Sequence, residues 1–593
     1  MMPGMSVQTT AGMRKRWRYR AADSGAADRQ AIEQLARALG IRPIVARMLW
    51  NRNVHKQETA QQFIHPKLSS LHDPRLMPGI ERAATRMVQA ARDGQPIVIY
   101  GDYDVDGITA SSVLWHMLSS VGANVTTYVP HRIEEGYGLN TEAILQLSEK
   151  ENPLIISVDC GITAFEPARA AKDAGIDLII TDHHEFHADN LPDAYALVHP
   201  RLEGDYPFDG LCGAGVAMKL AWQFAREFHG SERLPVEARD LMLDLLSLVA
   251  LGTVADVVPL VDENRIITWF GLGQIKRTRF AGLNALIDVS KLRDNKISAF
   301  HIGFALGPRL NACGRMGHAK DAVHMLTTAS PDEAKQIANF LNSENDKRRA
   351  TEREITAEAK KMIVDNGFDS PDTRAIVVGK KDWHPGVVGI VASRLVDTFA
   401  RPSIVLNFDE NDEAHGSARS VEGVSIHVAL DQCGRFLKTY GGHAMAAGLR
   451  LDVDQVDAFR EALIEYVNTQ IGPNDLATVI DIDGECRLSD VDMQLVEQLQ
   501  KLEPFGRANP TPALCLRDAK IDQPPLRAGG NGMHLRLSVR QDGKVMRTIG
   551  FGLGDLVDEL HAGMHVDIAF EPKLSLWQGR RNVEIHVKDV CPV

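Results

Sequence analysis

Residues 102, 104 and 106 are all aspartate, set in Tyr100–Gly107 at the end of the apolar run Ile97–Tyr100. Farther along, Asp159 follows Leu154–Val158. Asp182, His183 and His184 follow Leu178–Thr181, and Asp256 follows a long apolar stretch. Carboxylates joined by one or two imidazoles suit magnesium or manganese, whereas zinc and copper favour sulfur and imidazole. Several carboxylates at one site would repel one another unless a cation neutralised them. The pattern therefore points to metal-dependent chemistry on phosphoryl groups.

Other readings of the same residues are weaker. Asp102–Gly107 fits the first half of a calcium-binding EF-hand loop, but that loop closes on a glutamate at its twelfth position, where this chain has Val113. A surface turn with solvated aspartates does not explain why the loop follows a buried strand and precedes a helix. Zinc at Asp182–His184, with His187 nearby, has no cysteine pair or HExxH helix to support it.

The elements that must position these residues read as alternating strands and helices. Apolar runs at Ile97–Tyr100, Asn124–Val129, Leu154–Val158, Leu178–Thr181 and Ala196–Val198 are separated by helical stretches such as Ile108–Val121, Glu142–Lys150 and Ala164–Ala174. This predicts α/β architecture with a doubly wound parallel sheet, in which ligands bind at the carboxyl ends of the strands. Asp102–Asp106, Asp159 and Asp182–His184 all stand at such ends. Pro331 to Val364 reads as one long, charged helix. A second, smaller α/β unit follows, with strands at Ala375–Val378 and Ser403–Leu406 and a helix near Val387–Leu395. Beyond Gly472, short β-rich runs predict a barrel or sandwich. The expected domains are an N-terminal helical segment over 1–75, a catalytic domain over 76–330, a connecting helix over 331–368, the second α/β domain over 369–471 and the β-rich domain over 472–593.

The composition, 44% hydrophobic and 24% charged with net charge −12, is that of a globular protein without a global basic field. A local basic channel would still suffice to hold nucleic acid. The seven cysteines show no CxxC spacing, which fits free thiols in a reducing compartment. The basic start, Met13–Arg18, is followed by no apolar segment, so no secretory signal is expected. Its plain reading is a solvated, frayed terminus, its functional one a contact with nucleic acid. The longest apolar stretch, Leu245–Ala255, is too short to span a bilayer, and a cytoplasmic protein is expected.

Tyr100–Gly107, Val158–Gly161, Asp182–His184 and Gly252–Pro259 resemble, in order, the four motifs of the DHH phosphoesterase family. Gly416–Ser420 and Gly441–Gly448 are similar to the two signatures of the DHH-associated domain. Pro308–Gly317 is similar to a stretch found in the family's long, single-strand-specific exonucleases. The resemblance covers nearly the whole chain and makes the β-rich end an OB-fold.

The resemblance implies two divalent cations, magnesium or manganese. Asp104 and Asp159 would hold the first, and Asp106, Asp159, His183 and Asp256 the second, with Asp159 bridging. Asp102 would ligate or orient the first ion, and His184 would sit against the scissile phosphate. Small-molecule members have a histidine where this chain has Tyr100. The implied activity is 5′→3′ degradation of single-stranded DNA to mononucleotides, in DNA repair and recombination. Arg132 falls in a segment expected near the phosphate path, its rival reading being an ordinary surface arginine. Arg309, Asn311 and Arg315 would line the strand's route, and Ser417 and Arg419 would grip the terminal 5′ phosphate. Gly441, Gly442 and His443 would form a close-approach turn around nucleic acid, or else a tight helix-start turn. The strand would run between the two α/β domains, with the OB-fold extending the grip. Implied partners are single-stranded DNA, a single-strand-binding protein and a RecQ-type helicase, with the chain a monomer and no membrane involved. Two rival readings are a phosphodiesterase for short oligonucleotides or cyclic dinucleotides, and a scaffold with a degraded metal site. The chain's length argues against the first, and the intact aspartate and histidine set against the second.

Overall fold

Runs of branched apolar residues with no alternation mark strands buried on both faces, and this is how Ile97–Gly101 and Leu154–Val158 sit in the computed structural model, every residue buried. The structure describes residues 9–20, 25–131, 135, 138–149, 152–315, 319–577 and 580–593. It divides into one unit of residues 58–346 and 501–511 and another of residues 1–57, 347–500 and 512–593.

In the first unit, β1 (Ile97–Gly101), β2 (Val125–Tyr128), β3 (Leu154–Val158), β4 (Leu178–Thr181) and β5 (Ala196–Val198) form a parallel sheet in the order β2-β1-β3-β4-β5. Strand alternation divides their side chains between two cores. Ile97, Ile99, Ile156, Val158 and Ile179 enter one, with α1 (Ile80–Asp93), α2 (Val105–Ser120), α3 (Gly213–His229) and α4 (Val236–Ala255). Val98, Tyr100, Ile155, Leu178 and Ile180 enter the other. The strand order reverses between β1 and β3, the switch point at which such sheets bind ligands. α2 begins at Val105 rather than Ile108. Gly107 lies in its first turn, where any side chain is excluded because a Cβ would come 2.5 Å from the Asp102 carbonyl oxygen. α5 (Gly307–Arg315) and the first part of α6 (Pro331–Asp365), which divides at residue 346, follow.

The second unit holds a mixed sheet of β6 (Ile376–Lys381), β7 (Ser403–Phe408), β8 (Glu413–Arg419), β9 (Thr439–His443) and β10 (Ala446–Asp452), in the order β9-β10-β8-β7-β6. Only β6 and β7 pair in parallel, and α7 (Pro385–Phe399) packs on the sheet. Gly441, Gly442 and His443 belong to the exposed edge strand β9. The expectation of a close-approach or helix-start turn there is corrected, because each pairs with β10 and the chain reverses after them, at Ala444 and Met445.

The C-terminal strands Leu514–Ile521, His534–Gln541, Lys544–Gly550, His565–Trp577 and Arg580–Pro592 close into a barrel. The first pairs with both the second and the fourth, and the third runs parallel to the fifth. This is the five-stranded Greek-key pattern of an OB-fold. The fold class read from the sequence holds throughout.

The N-terminal segment differs from expectation. Arg16–Tyr19 is a strand that pairs in parallel with Val479–Ile482. Trp17 is fully buried, and its Nε1 donates to Asp589 Oδ2 at 3.0 Å. A segment so anchored is neither frayed nor solvated. Among the described residues no helix is long and apolar enough to cross a membrane.

Candidate metal centre

Every carboxylate of the candidate centre is supplied by the end of a strand or helix in the first unit. Asp102 and Asp104 come from the loop after β1, Asp106 from the first turn of α2, and Asp159 from the residue after β3. Asp182, His183 and His184 follow β4, and Asp256 caps the C-terminus of α4. A carboxylate at a helix C-terminus faces the negative end of the helix dipole. Helix stability therefore does not favour Asp256 at that position.

The fold fixes these groups tightly. Asp104 caps α2, its Oδ1 accepting from the N–H groups of Asp106 and Gly107. Both oxygens of Asp106 accept backbone N–H groups at the start of α3, from Gly213 and Ala214. Two glycines make the approach possible: a Cβ on Gly213 would fall 2.6 Å from Asp159 Oδ1, and one on Gly252 2.5 Å from Asp106 Oδ1. His183 Nε2 stands 3.2 Å from Asp159 Oδ1, 3.6 Å from Asp256 Oδ2 and 3.8 Å from Asp106 Oδ2. The ligand atoms of Asp102, Asp104 and Asp159 form one group and those of Asp106, His183 and Asp256 another, each within 4.8 Å.

The electrostatics match this crowding. Burial first, and then the neighbouring aspartates, push Asp256 up to about 8 and Asp106 up to about 6. The same causes raise Asp159 well above the usual carboxylate range. Burial, with His184 alongside, lowers His183 to about 3, so its imidazole is neutral. His184 behaves oppositely. Burial lowers it, but the 2.7 Å hydrogen bond from Nδ1 to Asp182 Oδ1, together with the charges of Asp182, Asp256 and Asp106, outweighs that and raises it to about 9. Asp182 in turn is raised by burial and brought down to about 2 by His184 and by the Ile162 N–H.

Among the described residues, Asp159 Oδ1, His183 Nε2 and Asp256 Oδ2 are buried without a hydrogen-bond partner. Buried polar atoms are almost always paired. Oxygen-rich ligands with one neutral imidazole, facing one another in mutual repulsion, fit a hard divalent cation. Tyr100 adds no ligand, because its ring points into the opposite core and its hydroxyl donates to the Gly138 carbonyl oxygen at 3.1 Å.

The remaining site residues are placed as follows. Asn311 on α5 reaches the aspartate loop, its Oδ1 accepting from the Val105 N–H at 3.2 Å. Arg309 donates to Asn342 Oδ1 and to the Ala305 carbonyl. Arg132 lies outside the described residues, as does the side chain of Arg315. In the second unit, Arg419 donates to Ser417 Oγ and the Ala418 carbonyl and has no ion-pair partner among the described residues. Burial lowers its pKa. Gly389 of α7 presses on this pair, since a Cβ there would lie 2.9 Å from Ser417 Oγ and 3.2 Å from Arg419 Nη2. Ser417 pairs with Gly448, which pairs with Gly441, and the row Arg419, Ala446, His443 follows two residues on.

The N–H groups of Gly213 and Ala214, and Gly389, were not singled out as site residues from the sequence, and Asp182, picked out there with His183 and His184, was given no role of its own. An interior glycine in a helix was a visible signal for Gly389. The backbone cradle of Asp106 left none, since it joins residues over a hundred positions apart.

The chain matches the models "DHH family, N-terminal domain" over residues 96–253, "DHHA1 domain" over 372–469 and "RecJ OB domain" over 482–589. It is 39% identical over 566 residues to the single-stranded-DNA-specific exonuclease RecJ of Bacillus subtilis, covering 95% of this chain and 70% of that one. To the protein of the same name from Escherichia coli it is 32% identical, covering 93% and 96%. The crystal structure of RecJ with Mn2+ from Thermus thermophilus superposes with a TM-score of 0.80 at 29% identity, covering 95% of this chain and 78% of that one. The corresponding Mg2+ complex gives 0.74 at 27% identity, covering 95% and 76%.

Proposed function

The chain belongs to the RecJ family of single-stranded-DNA-specific exonucleases, and from that membership we propose that it degrades single-stranded DNA from the 5′ end to mononucleotides by phosphodiester hydrolysis. Asp102, Asp104 and Asp159 would hold one divalent cation, magnesium or manganese, and Asp106, Asp159, His183 and Asp256 a second. The observation that carries the reading is that His183 Nε2 stands 3.2 and 3.6 Å from Asp159 Oδ1 and Asp256 Oδ2, all three atoms buried with no hydrogen-bond partner among the described residues. When bound, such cations make a water nucleophilic at neutral pH and offset charge on the phosphate.

The chain's own groups do the positioning. The N–H groups of Gly213 and Ala214 lock Asp106 against rotation. Asp182 orients His184 and keeps it protonated, which suits contact with a phosphate oxygen whose negative charge grows during hydrolysis. A half-buried guanidinium facing only neutral oxygens favours an anion, so Arg419 with Ser417 suits a terminal 5′ phosphate. On the barrel, Phe551 is 58% exposed and stands between the rings of His534 and His586 at 5.1 and 5.3 Å. Arg536 and Arg547 share that outer face without ion-pair partners among the described residues. OB-folds take oligonucleotides on this face by stacking and charge. A role in DNA repair and recombination, as a monomer working with a single-strand-binding protein and a RecQ-type helicase, rests on family membership.

The test is digestion of a long single strand labelled at either end, with manganese, magnesium or chelator. Metal-dependent release of mononucleotides from the 5′ end, duplex spared, is expected. Tight binding without cleavage would support a scaffold, and activity confined to dinucleotides a small-substrate phosphodiesterase.

A further inference from the structure

Phe300 and Phe304 are 65% and 69% exposed, and their rings stack 4.7 Å apart with planes 27° from parallel. The segment that bears them buries Ile302, Leu306 and Leu310 in the core, so the two phenyl rings are left on its outer side. Residues Ile302–Leu306 form a π-helical turn that runs directly into α5. Such turns are rare in helices and concentrate at functional sites.

The location narrows what the pair can meet. α5 carries Asn311, which holds the Val105 N–H at the head of α2 and so touches the aspartate loop. Phe304 and Asn311 are seven residues apart, about 10 Å of helix. That is roughly three nucleotides at the ~3.4 Å rise of a stacked strand. Arg309, between them, supplies positive charge. A pair of stacked, exposed rings beside a cation and within a few nucleotides of the metal centre fits unpaired bases, each of which has a π-face to offer.

We propose that Phe300 and Phe304 form a stacking platform for the bases of the single strand just 3′ of the scissile bond. They are positioning residues: they set how the strand enters the centre and touch no reacting atom. The inference rests on the nuclease reading above and assigns where, at that site, bases are held.

The test uses the full-length chain and a 5′-phosphorylated oligothymidylate carrying one abasic position, moved stepwise from the 5′ end. Binding is measured by anisotropy in chelator and cleavage in manganese. For the unaltered protein, affinity should dip when the abasic position falls within the first few nucleotides. The doubly substituted Phe300→Ala/Phe304→Ala chain should bind the intact strand about tenfold more weakly and show a flat scan. Its KM should rise while kcat stays near normal, and Phe300→Tyr/Phe304→Tyr should restore the dip. Unchanged affinity with an unchanged scan would overturn the proposal and leave the pair as a surface for a protein partner. An unaltered chain that binds but never cleaves would overturn the nuclease reading, while the scan would still decide the platform.

Discussion

Asp159 Oδ1 lies 3.2 Å from His183 Nε2, yet the two atoms make no hydrogen bond and, among the described residues, each is buried without one. A buried polar atom left unpaired costs about 1–3 kcal/mol. Asp159 also has a φ of 61°, in the left-handed region that aspartate and asparagine enter more readily than other residues with a Cβ. Asp159 belongs to one ligand group and stands beside His183 of the other, where an unpaired buried atom calls for a functional explanation.

Replacing Asp159 by asparagine separates charge from backbone. Asparagine tolerates the left-handed region and keeps the side-chain shape, while a Cβ-only alanine would add strain. Asp159→Asn should lower kcat by about a thousandfold or more, with a chelator-state melting temperature equal to or above that of the parent, because one repelling carboxylate is gone. Calorimetry and single-strand digestion check both halves. Near-normal turnover would remove Asp159 from the metal centre.

The raised carboxyls make metal binding and stability depend on pH. Asp106 at about 6 and Asp256 at about 8 are above their unfolded values. The stabilisation they give is complete below the ordinary aspartate range and is lost as pH rises through 6 and then 8. His184, raised to about 9, acts in the same direction. The metal-free chain should therefore melt at falling temperature from pH 6 to 8.5. Manganese should flatten or reverse that slope, because the ion binds the deprotonated carboxylates and releases their protons. Titration calorimetry at pH 7 in two buffers of different ionisation enthalpy would detect the release. Identical heats in both buffers would contradict it.

The parallel sheet and its aspartate loop were legible because burial on both faces writes itself as unbroken apolar runs, and because Asp102–Asp106, Asp159 and Asp182–His184 each follow such a run directly. The N-terminal strand was not. Arg16–Tyr19 does alternate, with Trp17 and Tyr19 facing inward, but its arginines read as a basic tail and its partner strand lies more than 450 residues away. What Asp182 and Gly213 do at the site was opaque for a related reason. One acts by orienting His184, the other by lending an N–H to Asp106, and neither relation has a spacing to recognise.

Trp17 should behave as a core residue. It is fully buried, and Asp589 also accepts the N–H groups of Arg14 and Lys15. Trp17→Ala should destabilise the second unit by about 3–5 kcal/mol in denaturant unfolding. Trp17→Phe, which keeps the packing and loses the indole donor, should cost only about 1–2 kcal/mol. Equal, small losses in both would return the segment to the solvated tail that its charges suggest.

Arg419 offers the sharpest test of end recognition. Its guanidinium is partly desolvated, bonded to Ser417 Oγ and a carbonyl, and hemmed by Gly389, so it can gain an anion without breaking an ion pair among the described residues. A charge-assisted bond to phosphate is worth about 1.5–3 kcal/mol. Arg419→Ala should therefore erase about a tenfold to hundredfold preference for 5′-phosphorylated over 5′-hydroxyl strands, and leave the manganese concentration for half-maximal activity nearly unchanged. Arg419→Lys should recover only part of the preference, because an ammonium cannot reproduce the planar fork. If both strand ends lose activity equally, Arg419 supports the sheet around β8 and does not read the end.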